Sequence, residues 1–143
     1  MEDSKVKESS GRKLPIPNNI ISIDASLDVD FFKWWCMFLR PFVNLTKREV
    51  EVVACFLKQR WELSKEISNP AILDEMMASA KVRERVLNDC DLTLAHFYVI
   101  MSTLRKNKVF INDTLNPRLI PNIKGEGNFQ LLILFNNKKN ESK

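Results

Sequence analysis

Glycine is scarce in this sequence, with three residues in 143. That scarcity excludes the Gly-rich loops that cradle phosphates in nucleotide-binding folds. Histidine occurs once, at His96, and cysteine three times, at Cys36, Cys55 and Cys90, with no Cys-x-x-Cys pair. An odd, widely spaced set of thiols with a single imidazole supports neither a closed disulfide framework nor a zinc site, which takes four N/S ligands at short paired spacings. Each cysteine lies among apolar or helical residues, the setting of a reduced, partly buried thiol, and a cytoplasmic location fits that usage. No apolar run reaches the ~20 residues of a bilayer span; the most apolar stretch, residues 31–43, is interrupted by Lys33, Arg40 and Pro41. The first 20 residues are charged and polar, without the apolar centre of a signal peptide. Paired carboxylates, triad spacings and Walker motifs are also missing, and His96 has no nucleophile at a recognisable spacing. A non-enzymatic chain without metal, cofactor, small-molecule substrate or membrane is expected.

What is present is enough for a core. With 45% hydrophobic residues and 28% charged ones, the chain suits one folded domain. Its formal charge of +4 is a mild basic bias, unevenly spread. Residues 1–30 hold four basic and six acidic side chains, whereas residues 81–110 hold six basic (Lys81, Arg83, Arg85, Arg105, Lys106, Lys108) against three acidic.

Residues 1–19, with Pro15 and Pro17, read as a flexible polar arm, and residues 136–143 as a polar tail. Between them the patterning predicts five helices and a terminal β-ribbon. The first helix starts near Asp28 or Val29 and stops at Pro41. Its aromatics Phe31, Phe32, Trp34, Trp35 and Phe38 cover nearly the whole circumference, so residues 20–44 are expected to be buried on several sides, against the core or a partner. Thr46 and Glu49 form a capping box for the second helix, whose core stripe is Val50, Val53, Ala54, Leu57 and Trp61. Asn69-Pro70 starts a short third helix with Ile72, Leu73, Met76 and Met77 on one apolar side. Ser79 caps a fourth, to about Asn88, with Val82, Val86 and Leu87 inward. Thr93 caps a fifth, with the stripe Phe97, Ile100, Met101 and Leu104, which Asn107 leaves in a left-handed conformation. Residues 109–111 then read as a short strand and 129–135 as a longer return strand, joined through Pro117, Pro121 and the turn residues Gly125 and Gly127.

Short helix, tight turn, second helix and strand pair is the order of a winged helix-turn-helix. Residues 82–110, with the capped turn before Thr93 and the run Leu104-Arg105-Lys106-Asn107-Lys108, resemble that family, and the resemblance extends over residues 45–135 as one domain. The fold it implies is mainly α with a small β-wing, preceded by the apolar N-terminal helix. More loosely, Leu45-Thr46-Lys47-Arg48-Glu49 together with residues 104–108 and 115–121 resembles small winged-helix proteins of tailed, crAss-like bacteriophages. Such a protein would act in the host cytoplasm or in the virion.

In a DNA-binding member of the family the second helix of the motif enters the major groove, and nearby cations hold phosphates. The resemblance therefore makes double-stranded DNA one expected partner, through His96, Ser102, Arg105, Lys106, Lys108, Lys124, Lys81 and Arg85. Base reading is poorly served, because the outward positions Leu94, Ala95, His96, Val99, Ser102 and Thr103 include no Arg, Lys, Asn or Gln. Leu94 and Val99, with Phe32, Trp34 and Trp35, instead suit a protein interface. The alternative expectation is a virion or connector component that meets other phage proteins or a second copy of itself.

Overall fold

The computed structural model describes residues 29–123 and 136–137. The arm at 1–19, the return strand at 129–135, Gly125, Gly127 and most of the tail at 136–143 lie outside the described residues. The chain divides into two units, of which the larger is Ser22–Pro121. This larger unit carries α1 (Val29–Val43), α2 (Lys47–Ser64), α3 (Pro70–Met77), α4 (Ala80–Cys90), α5 (Leu94–Lys106), β1 (Phe110–Ile111), β2 (Thr114–Leu115) and a closing 3-10 turn, Pro117–Leu119.

Four of the helices start where side-chain oxygens reach amides that the helix itself leaves unpaired. The Thr46 hydroxyl accepts from Glu49 N–H at 3.2 Å, and Glu49 Oε1 accepts from Thr46 N–H at 2.9 Å, the reciprocal pair of a capping box. Asn69 Oδ1 accepts from Ala71 and Ile72, Ser79 Oγ from Val82, and Thr93 Oγ1 from His96. Each cap is worth about 1 kcal/mol.

The exits depart from the expected ones. Pro41 does not stop α1, which continues to Val43. So close to the end of a helix, the missing proline N–H removes one bond only, and the stop falls to Asn44, with φ 54° and its N–H on Arg40 O at 2.9 Å. Helix α4 runs past Asn88 to Cys90 and is closed by Asp91, with φ 54° and Leu92 N–H on Leu87 O at 2.9 Å. At the end of α5, Asn107 is not left-handed (φ −89°); Lys108 is (φ 65°). The bonds Lys108 N–H to Arg105 O and Val109 N–H to Leu104 O make that exit a Schellman motif, which assigns the left-handed residue one position further along.

Helix α2, rather than α1, is the element buried all round. Val52, Val53, Ala54, Cys55, Phe56 and Leu57 are buried in succession, because α1, α3 and α4 all pack on this helix. Helix α1 buries Phe32 and Cys36 but leaves Trp34, Met37, Phe38 and Phe42 exposed. In α3, Leu73 and Met77 face inward whereas Ile72 and Met76 are exposed, so its apolar side is narrower than expected. Trp61 is half-buried at the edge of the core, its ring 6.2 Å from Phe32 and 3.9 Å from the Lys65 ammonium.

Phe56 links the central helix to the end of the fold. Its ring lies 6.3 Å from Phe97 of α5 and 5.1 Å, edge to face, from Phe110 of β1. Among the described residues β1 pairs antiparallel with β2, a hairpin the patterning did not mark, with Phe110 opposite Leu115 and Ile111 opposite Thr114. The two-residue connection, Asn112 and Asp113, has φ 52° and 66°, the positive pair that a tight hairpin turn requires. The Trp35 indole N–H donates to Leu119 O at 2.8 Å, and Asn107 Nδ2 to Asn44 O at 3.4 Å. Helix α1 is thus tied to the residues beyond the hairpin and to the exit of α5. The described architecture is mainly helical with a small two-stranded antiparallel sheet.

Candidate functional site

The expected surface is built on α4, the three residues Asp91, Leu92 and Thr93, and α5. The turn is held from outside as well as by its caps. The Arg48 guanidinium, on α2, donates to the carbonyls of Cys90 and Asp91, and its other arm meets Glu51 at 2.6 Å. A cation on the last carbonyls of α4 satisfies orphan acceptors and opposes the helix dipole. This role of Arg48 was not legible in the sequence, since 42 positions separate donor and acceptor.

Helix α5 buries Phe97, Ile100, Met101 and Leu104, the expected four. At 100° per residue the opposite face is the stripe Ala95, Val99, Ser102 and Lys106, all exposed. Leu94, Tyr98 and Arg105 flank it on one side, His96 and Thr103 on the other. Val99, at 63% exposure, is the most open large apolar side chain of this helix. Thr103 is only half-buried and its hydroxyl donates to Val99 O at 3.4 Å, which makes it a less available outward group than expected. Tyr98 is exposed and belongs to this surface; its i+4 spacing from Leu94 was the available signal.

The basic residues divide between two places. Lys81 and Arg85 are exposed one turn apart on α4. Arg105, Lys106 and Lys108 are exposed around the exit of α5, where Arg105 reaches Asp113 of the hairpin turn at 3.5 Å. Both partners of that pair are well solvated, so it is a weak link. No salt bridge holds Lys81, Arg85, Lys106 or Lys108 among the described residues. Lys124 lies outside the described residues.

The aromatic candidates separate by burial. Phe32 is a core residue at 1% exposure, which corrects its assignment to an interface: its position faces α2. Trp35 is half-buried with its indole nitrogen engaged by Leu119, whereas Trp34 is exposed. No group of three or more His, Cys, Asp or Glu side chains suited to a metal occurs among the described residues. Nor is any described helix long and apolar enough to cross a membrane. Comparison with protein-family models, curated proteins and solved structures finds no match for this chain.

Proposed function

We propose that the chain is a winged helix-turn-helix protein, of the kind encoded by tailed phages, that associates with double-stranded DNA through backbone contacts, as a regulatory, replication or packaging accessory. The observation that carries this reading is the exposure of Lys81, Arg85, Arg105, Lys106 and Lys108 on the two helices of the motif and at its exit. Four of the five have no ion-pair partner among the described residues. On the outer stripe of α5, Ala95, Val99 and Ser102 offer no bidentate base reader, and its one cation, Lys106, stands at the last turn beside Arg105 and Lys108, so binding follows the phosphates and is insensitive to sequence.

The test is duplex binding by fluorescence anisotropy across a salt series. If all five cations engage, log K falls with log salt at a slope of about −4 to −5. Replacing Arg105 and Lys106 with Ala lowers the slope by about 2 and weakens unrelated sequences equally. No binding at micromolar protein in low salt rejects the reading.

A second reading has its own observation. Leu94, Tyr98 and Val99 on α5, and Trp34, Met37, Phe38 and Phe42 on α1, are large apolar side chains left in water. They suit a structural role in a virion or connector, with the winged helix packed on protein. Val99→Glu would then abolish assembly with the isolated fold intact, while duplex binding by the DNA-associating form would weaken only modestly.

A further inference from the structure

One pair of nucleophilic side chains has no part in either reading. Cys55, in the middle of α2, and Cys90, the last residue of α4, are 35 positions apart in sequence, with Sγ atoms 3.3 Å apart. Cys36, the third thiol, is wholly buried.

We infer that Cys55 and Cys90 form a dithiol that a hydroperoxide closes to a disulfide between α2 and α4, and that a dithiol reductant opens again. The sulfurs already touch, so bond formation needs a further approach of about 1.3 Å, against a disulfide length of about 2.0 Å. The pair is asymmetric. Cys90 stands at the exit of α4, where Arg48 donates to its carbonyl, and its sulfur lies 3.7 Å from Glu51 O. The hydrogen bond between the two sulfurs holds the Cys90 thiol below its ordinary pKa; burial opposes that shift, the Arg48 charge adds to it, and the Glu51 and Asp89 carboxylates oppose it. The same hydrogen bond, followed by burial, raises Cys55. The Arg48 guanidinium, bonded to the Cys90 carbonyl and making no such contact with Cys55 among the described residues, makes Cys90 the attacking sulfur and Cys55 the resolving one. Burial pushes Cys36 up to about 12, which makes it an unreactive control in the same molecule.

The chemistry balances in two steps. The Cys90 thiolate attacks one peroxide oxygen; the O–O bond breaks, Cys90 becomes a sulfenic acid, and the alkoxide leaves as an alcohol after taking up a proton. Cys55 sulfur then attacks the sulfenic sulfur, the S–O bond breaks, and hydroxide leaves as water with the Cys55 proton. Two thiols lose two electrons and the peroxide gains them. The product joins α2 covalently to the last residue of α4, just before the turn into α5.

The folded full chain is treated with hydrogen peroxide, then denatured, alkylated and mapped by mass spectrometry. The expected result is a chain lighter by two hydrogens before alkylation, a Cys55–Cys90 cross-linked peptide, an alkylated Cys36, and full reversal by dithiothreitol. In Cys55→Ser, dimedone captures a sulfenic acid at Cys90 and no intramolecular cross-link forms. If that variant does not fold, mapping of the unaltered chain decides alone. Retention of three alkylatable thiols, at peroxide levels that oxidise the same chain when unfolded, overturns the inference. So does oxidation centred on Cys36. None of these outcomes depends on whether the chain binds DNA.

Discussion

Asn116 Nδ2 donates to the carbonyl of Lys108 at 2.9 Å, so the residue that leaves the hairpin holds the residue that leaves α5. The Asn116 N–H reaches Val109 O at 2.9 Å, and the exit of α5 is thus bonded at its left-handed residue and at the residue after it. Lys108 bears a steric cost there that glycine would not, since its Cβ crowds the backbone at positive φ.

Lys108→Gly should therefore raise stability by about 1 kcal/mol, read as a higher urea midpoint at unchanged slope. In duplex binding the same variant should lose about one unit of salt slope. A fall in stability would show that the lysine stem packs on the exit.

Asp113→Gly acts on the neighbouring turn. It removes a second strained positive φ and the anion facing Arg105. Stability should rise by up to about 1 kcal/mol, and low-salt affinity for duplex DNA should rise a few-fold at every sequence. Thermal melting and anisotropy check the two halves separately.

Arg48→Met should cost about 1–3 kcal/mol, because it strips the carbonyls of Cys90 and Asp91 of a charged donor. Glu51→Ala removes only the half-exposed ion pair between neighbouring turns and should cost under about 0.5 kcal/mol. Equal losses in chemical denaturation would refute the division of labour between the two bonds.

Gln59 is buried on α2, and neither its Oε1 nor its Nε2 has a hydrogen-bond partner among the described residues. Replacing it with Leu or Met, similar in length and apolar, should stabilise the fold by about 1 kcal/mol. The urea midpoint reads this directly, and a loss above about 1 kcal/mol would show that the amide is bonded in solution.

The helix starts at Thr46, Asn69, Ser79 and Thr93 were legible in the sequence because a cap is a contact across two or three residues. The α5 stripe was legible for the same local reason. Asn44, Asp91 and Lys108 were not, since a left-handed exit usually announces itself by glycine and this chain uses other residues. The central place of α2 escaped reading as well. Apolarity shows that a helix is buried, but the number of neighbours that surround it is a tertiary fact, and Phe31, Trp34 and Trp35 drew that role to α1. Cys55 and Cys90 are neighbours only because α4 packs on α2, and no spacing rule relates them. On the surface, periodicity marked Val99 as outward, whereas Leu94 and Tyr98 share a flank where 100° steps discriminate least, and of these two only Leu94 was marked as outward.

The single ring of Phe56 packs on both Phe97 and Phe110, and the exit of α5 is bonded to the hairpin, so α5 and the hairpin should move together. Whatever seats on the outer stripe of α5, duplex or protein, should then meet a surface already in its final shape. Such an encounter immobilises little backbone, so discrimination between partners rests on how well Ala95, Val99 and Ser102 shed their water, and a slow reordering step should be missing from the association kinetics.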